Sequence, residues 1–357
     1  MMSPKSERTE IAFLGCGQAA RAHARTLRGL ARGIRMHFAS RDRARAAEFS
    51  SALGGVGAFS SYQAALEDES VDVVVVTTPP DRHLELTLAA LGAGKDVVVE
   101  KPAFLQEEDF GVVREAARRA GRRVFVAENY FYKPVRRRLV GLLEEGIVGD
   151  PLLLQLNAVK RQTVDGWRAD RERAGGGALF EGGIHWINLA SNLGMEVERA
   201  SGRRAGMTQA GDGTGPASGR PVEESLVVTL EYRGGMVGTL AFSWEVPSPL
   251  RGVRISTLYG RGGSVWFESN GIFVVARGSR TRLFLPGIRD LAGYRAMWTD
   301  FLDALHSGRE PAMTLDLAAR DVRMVRDIYR SLEENASGAA DAGGAPGTPE
   351  PPPPGGA

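Results

Sequence analysis

Cysteine is almost missing from this chain: Cys16 is the only one in 357 residues, so no internal disulfide can form and the chain suits a reducing compartment. Histidine is sparse too, at five residues, and neither these nor Cys16 fall at metal-ligand spacings, so no metal is expected. An excess of charge of either sign is also lacking. Lys and Arg total 45 against 43 Asp and Glu, and the net charge of +2 removes the electrostatic case for nucleic acid or acidic membranes as partners. The basic runs Arg118-Arg119, Arg122-Arg123 and Arg136-Arg137-Arg138 then read as solvated helix faces. No uncharged apolar run approaches the roughly 20 residues that span a bilayer. The opening MMSPKSERTE has no apolar stretch of the kind a secretory signal needs, so the expected location is the cytoplasm.

What is present has globular balance, 43% hydrophobic and 25% charged, in a chain long enough for two domains with a cleft between them. From Glu10 the sequence alternates β-rich runs with helical ones: IAFLG, AARAHARTLRGLA, RMHFAS, a helix from Asp42 to Leu53, VDVVVVTT, a helix after Asp81, DVVVE, a basic helix and RVFVAE. This βαβ rhythm predicts a parallel sheet covered by helices over residues 8–130. The rhythm then changes. A helix over Val135–Glu145, the run LLLQLNAV and a Gly-rich helix at GGGALFEGGIHWINLASNLG lead into ESLVVTLEY, MVGTLAFSWEV, RISTLYG, SVWFES and GIFVVAR, with turns at Arg233-Gly234-Gly235 and Ser269-Asn270-Gly271. These predict an open, largely antiparallel sheet in a second domain over residues 131–336, closed by helices at Tyr294–His306 and Leu315–Glu334. Gly202 to Pro221 reads as a mobile loop, and the Gly, Ala and Pro tail of residues 337–357 cannot build a packed core.

The first strand runs into Gly15-Cys16-Gly17-Gln18-Ala19-Ala20, a match to GxGxxA. Gly15 and Gly17 let the backbone turn sharply and approach a pyrophosphate, while Gln18 and Ala19 open a helix whose free N–H groups favour phosphate. The second strand ends in Ser40-Arg41, where an NAD site usually carries an acid for the ribose 2′-hydroxyl. Ser40 and Arg41 suit a 2′-phosphate, which favours NADP over NAD, with Asp42 either the helix cap or a ribose contact.

Three further segments, TTPPDRHLELTLAALGAGKDVVVEKP (residues 77–102), GGGALFEGGIHWINL (residues 175–189) and ESLVVTLEYRGGMVGTLAFSW, together with the fingerprint resemble the Gfo/Idh/MocA family, named for glucose-fructose oxidoreductase, inositol dehydrogenase and rhizopine catabolism. The resemblance runs from about Glu10 to Glu334. It implies an N-terminal Rossmann domain, a C-terminal α/β domain whose open sheet forms a dimer or tetramer interface, and hydride transfer between a nicotinamide and a hydroxyl or carbonyl carbon of a sugar or polyol. The Lys of the family's EKP motif falls on Lys101, the usual Asp of GGGxxxDxGxH on Glu181, its His on His185, and the usual second acid on Asn188. The chain departs from the pattern at Glu181 and Asn188, both on the substrate side.

Lys101 leaves a strand where parallel sheets place ligands, beside Glu100, and can stabilise a developing alkoxide while contacting the cofactor. Glu181 and His185, four apart on one predicted helix, face the same side, so the carboxylate can orient the imidazole or bind a substrate hydroxyl while His185 exchanges a proton. Thr78, Pro79 and His83 follow a strand exit and are expected to border the nicotinamide, whereas His23, His37 and His306 read as structural. Asn129, Tyr130, Trp167 and Arg168 lie near domain or motif boundaries and are candidate substrate contacts. Two alternatives stay open: a cofactor-sensing regulator on the same fold, and an enzyme that uses the nicotinamide for transient oxidation or for reducing a C=N or C=C bond.

Overall fold

The computed structural model describes residues 8–30, 33–205, 225–248 and 252–342. The first half is built from β1 (Thr9–Leu14), α1 (Gln18–Arg28), β2 (Ile34–Ala39), α2 (Arg43–Leu53), β3 (Gly57–Phe59), α3 (Tyr62–Glu67), β4 (Val73–Val76), α4 (His83–Gly92), β5 (Asp96–Glu100), α5 (Glu107–Ala120) and β6 (Val124–Ala127). Its six strands are parallel, in the order β3-β2-β1-β4-β5-β6. Strands covered by helices on both faces bury every side chain, which is why Val73–Val76 and Val97–Val99 are uninterrupted apolar runs. The strand order reverses between β1 and β4, and the crevice above their C-terminal ends is where such sheets bind ligands.

The second half contains α6 (Pro134–Glu144), β7 (Pro151–Val159), α7 (Arg171–Ala174), α8 (Ile184–Ser191), β8 (Val197–Arg204), β9 (Ser225–Tyr232), β10 (Val237–Ser243), β11 (Ile255–Gly260), β12 (Gly263–Glu268), β13 (Val274–Arg277), β14 (Thr281–Phe284), α9 (Tyr294–Ser307) and α10 (Leu315–Ala342). Its sheet has eight strands in the order β14-β13-β12-β11-β7-β10-β9-β8. Among the described residues, only the β7–β10 pair of this sheet is parallel. Along β9, Leu226, Val228 and Leu230 point into the core while Val227 and Glu231 face out, the alternation of a sheet with one covered face. Two boundaries differ from the sequence reading. Gly202 ends up inside β8, where its hydrogens face Ile328 and Leu332, so the expected loop does not start there; its residues 206–221 lie outside the described residues, as do 222–224. Helix α10 runs on to Ala342, past the expected break after Ala336; residues 343–357 are outside the described residues.

The halves are joined where α9 packs on α1. Trp298 of α9 is fully buried, and its indole N–H donates to His23 Nδ1 at 2.9 Å. Because an indole can only donate, His23 must carry its proton on Nε2, which reaches Glu100 Oε1 at 2.8 Å. The core thus holds the end of β5, the residue before Lys101, in place.

Candidate functional site

An open cleft of about 530 Å³ lies at the switch point and is lined by Gly15, Gly17, Gln18, Ala19, Ser40, Arg41, Thr78, Pro79, Glu100 and Lys101, all expected at a cofactor. Gly15 has φ +115° and a Cβ there would come within 2.9 Å of the Thr77 carbonyl oxygen, whereas a Cβ on Gly17 would meet nothing within 4 Å. The loop is therefore pressed against β4 on one side and open on the other, as a phosphate cradle requires. Thr78 Oγ1 is buried beside this cleft with no hydrogen-bond partner among the described residues, a polar atom that a bound ligand would satisfy. The residues fit a dinucleotide.

At the end of β2 the Asp42 carboxylate caps α2, accepting from the Ala44 and Arg45 N–H groups. Two guanidinium groups face the cleft beside it, Arg41 and one the sequence reading did not single out, Arg45. Arg45 Nε and Nη2 donate to the Cys16 carbonyl oxygen at 3.1 and 2.8 Å, which ties α2 to the glycine loop. His83 does not reach the cleft. It is 1% exposed, with its ring nitrogens 2.8 Å from the Thr78 and 3.0 Å from the Pro102 carbonyl oxygens, and so it joins two loops that shape the cleft floor. Burial pushes its pKa down, so the ring is neutral near pH 7 and donates its one N–H to one of these two carbonyls.

Lys101 and Glu181 line both this cleft and a second cavity of about 260 Å³, whose wall also contains His185, Tyr130 and Trp186. The Lys101–Pro102 peptide is cis. Lys101 takes its orientation from both ends: Glu100 Oε2 accepts its backbone N–H at 2.9 Å, and its Nζ donates to the Glu181 carbonyl oxygen at 2.6 Å, with Glu181 Oε1 3.9 Å away. Arg168, on the short turn Gly166–Ala169, donates from Nε to Glu181 Oε1 at 2.9 Å and lies over the Trp167 ring at 4.5 Å. Burial raises the Glu181 pKa, but Lys101 and Arg168 outweigh it and hold the carboxyl below its ordinary value.

Glu181 and His185 share the cavity but are not partnered as the four-residue spacing implied. Leu179–Gly183 form a π turn ahead of α8, and the wider turn changes the angle between the two side chains. The turn is covered closely by the second sheet: a Cβ on Gly182 would lie 3.1 Å from Trp244 and 3.3 Å from Phe242. His185 Nδ1 instead meets Glu128 Oε1 at 2.6 Å, and Tyr130 stacks on the imidazole with ring centroids 4.4 Å apart. Glu128 is only 3% exposed and also accepts the Tyr130 N–H at 2.9 Å. It sits at the exit of β6, and strand-exit position was the one signal by which the sequence could have revealed it.

Two candidates lie elsewhere. Asn129 donates its side-chain amide to the Ala292 carbonyl oxygen at 2.6 Å and lines neither cavity. Asn188 is fully buried on the far side of α8, where its amide donates to Asp321 Oδ2 at 2.6 Å. Among the described residues no group of three or more His, Cys, Asp or Glu is placed to hold a metal ion, and no helix is long and apolar enough to cross a membrane.

Residues 9–128 match the family described as "Oxidoreductase family, NAD-binding Rossmann fold", and residues 137–265 match its GFO/IDH/MocA C-terminal domain. The chain belongs to the Gfo/Idh/MocA oxidoreductase family. Within that family it is similar to levoglucosan dehydrogenase of Pseudarthrobacter phenanthrenivorans, 23% identical over 82% of this chain and 79% of the relative. It is also similar to D-xylose 1-dehydrogenase (NADP(+)) 2 of Haloferax volcanii, 25% identical over 84% and 90%. A solved levoglucosan dehydrogenase in complex with NADH and levoglucosan shares the fold with a TM-score of 0.80 at 19% identity, covering 92% of this chain and 98% of that one. In this Gfo/Idh/MocA chain the acid of the Gly-rich motif is kept one methylene longer as Glu181, and the position of the second acid, Asn188, points into the core.

Proposed function

We propose that this chain is an NAD(P)-dependent dehydrogenase or reductase that moves a hydride between the nicotinamide and a hydroxyl or carbonyl carbon of a sugar or polyol, with NADP preferred. The observation that carries this is the position of Lys101 and Glu181 in the walls of both cavities, with His185 beside them in the second. A group held there meets a cation, a carboxylate and an imidazole at the boundary with the cofactor cleft. The named relatives that act on sugars support the substrate class. NADP is supported by Arg41, Arg45 and Ser40 in the cleft wall and by the engagement of Asp42 in capping α2. The outward apolar residues Leu153, Trp266 and Leu283 on the second sheet support a dimer or tetramer formed through that face.

When bound, the nicotinamide supplies the hydride acceptor or donor. Glu128 accepts from His185 Nδ1–H, which leaves Nε2 with a lone pair to take the substrate hydroxyl proton. Lys101 Nζ stabilises the oxygen as it becomes an alkoxide, and its fixed donation to the Glu181 carbonyl means that little reorganisation is needed. Glu181, answered by Lys101 and Arg168, stays ionised and accepts from a neighbouring substrate hydroxyl. In the reductive direction the same groups run in reverse. The test is a panel of polyols, sugars and their keto forms with each cofactor, followed by absorbance of the reduced nicotinamide. Turnover of any CH–OH substrate that disappears in the Lys101→Ala and His185→Ala variants supports the assignment; no turnover in either direction across the panel refutes it.

A further inference from the structure

The second cavity holds more positive charge than the proposed chemistry uses. Lys101, Lys160 and Arg254 all line it, against the single carboxylate of Glu181, which Lys101 and Arg168 already answer. Lys160, just beyond the end of β7, has no hydrogen bond or ion pair from its side chain to any described residue. Among the described residues Arg254 finds only a neutral acceptor, Asn270 Oδ1 at 2.7 Å, and its buried Nε has none. The guanidinium makes no ion pair with the nearby Glu268 among the described residues and reaches it only through Asn270, whose amide donates to Glu268 Oε1 at 3.0 Å. The Glu268 oxygens otherwise accept from the backbone N–H groups of Asn270, Gly271 and Ile272, and from Arg254 only through the main chain.

Arg254 is half-buried, and a partly desolvated cation without an anion is costly; with the exposed, unpaired ammonium of Lys160 beside it on one small cavity, it marks a place where an anion would be stabilised. The rest of the wall is aromatic, with Tyr130, Trp186, Phe242 and Trp244, which suits the apolar face of a sugar ring. A volume of about 260 Å³ limits the occupant to a small molecule.

We propose that the substrate is a sugar or polyol bearing an anionic group, a carboxylate or a phosphate, held by Lys160 and Arg254 while its reacting hydroxyl faces Lys101 and His185. This rests on the reading of the second cavity as the substrate site. The anionic end sits on the second domain and the reacting carbon at the domain boundary, so the charge orients the sugar for the hydride step and excludes neutral sugars of the same size.

The experiment titrates protein saturated with the tighter-binding cofactor, at constant ionic strength, with neutral aldoses and the matching uronic acids, aldonic acids and 6-phosphates. At least one anionic series should bind about tenfold or more tightly than its neutral parent, and the carboxylate and phosphate arms show which anion the site takes. Lys160→Ala and Arg254→Gln should each cut the anionic-to-neutral ratio by about tenfold, and Lys160→Arg should retain it. Arg254→Lys keeps the charge should Arg254→Gln fail to fold. Neutral sugars binding as tightly as every anionic counterpart, or a ratio unmoved by both neutralising variants, would overturn the inference. Cofactor reduction by the same panel is scored separately. An anionic preference without any turnover would leave the anion site standing and count against the dehydrogenase assignment; turnover of neutral sugars with no preference would do the reverse.

Discussion

Replacing Arg41 with Ala tests the cofactor assignment without knowledge of the substrate. Arg41 is exposed at the rim of the cleft, so its contact with a 2′-phosphate is partly screened by water. A charge-assisted hydrogen bond is worth about 1.5 to 3 kcal/mol when sheltered and less when exposed, which puts the loss near the lower bound: about tenfold in NADPH affinity at low salt. Arg45 remains in the variant and keeps part of the preference. Its own removal should have a broader effect, weakening NADH as well, because its guanidinium holds the Cys16 carbonyl of the glycine loop. Ser40→Asp should go furthest, since a carboxylate at the end of β2 repels the phosphate and accepts from the ribose hydroxyls. Calorimetric or fluorescence titration of NADPH and NADH at low and high ionic strength gives each quantity. The NADPH preference of the parent should shrink as the Debye length falls from about 10 Å at 0.1 M salt to about 3 Å at 1 M. A parent that binds NADH at least as tightly as NADPH, with neither affinity changed by Arg41→Ala, would refute the reasoning.

The cofactor half was legible because its signals are local. A parallel strand buried on both faces has to be apolar throughout, so Val73–Val76 and Val97–Val99 declare themselves. Asp42 and the glycine fingerprint announce the start of α2 and α1 in the same way. The substrate side depends on geometry that spacing does not encode. A four-residue separation puts two side chains on one face only of a regular α-helix, and the π turn at Leu179–Gly183 breaks that rule, giving Glu181 to Lys101 and Arg168 and His185 to Glu128. Glu128 and His185 are 57 residues apart, and nothing in either neighbourhood signals the pairing. The same holds for Lys160 and Arg254, one just past the end of β7 and the other just before the start of β11. His83 and Asn129 follow strand exits as real cleft residues do, but each finds backbone carbonyl partners inside the protein and turns away. Asn188 is a third case, one turn of α8 past His185 and directed at Asp321.

Lys101→Ala and His185→Ala should each lower kcat/KM by about 10² or more, with cofactor affinity retained in titrations, the range expected for lost oxyanion stabilisation or proton transfer. Glu128→Gln keeps an acceptor near His185 Nδ1 but removes its charge, and steady-state kinetics should show a loss of about tenfold in kcat/KM without loss of NADPH binding. Glu181→Asp should fold normally and change the rate or substrate preference across the panel, because only the reach of the carboxylate differs. Asp321 gives a prediction about stability. Burial pushes its carboxyl up to about 6, against the attraction of Arg320 and the hydrogen bonds from Asn188 and Ser191. The ordinary value is about 3.9, so between pH 4 and 6 the folded chain binds more protons at this group than the unfolded chain. Its contribution to stability is therefore complete below about pH 4 and is lost as the pH rises through 6, a change of at most about 3 kcal/mol. Asp321→Asn cannot ionise and removes that component. Urea unfolding from pH 4.5 to 7 should accordingly show the parent losing stability relative to Asp321→Asn as the pH rises. If the parent instead gained on the variant over that range, the Arg320 ion pair would dominate over burial and the carboxylate would be the stabilised form.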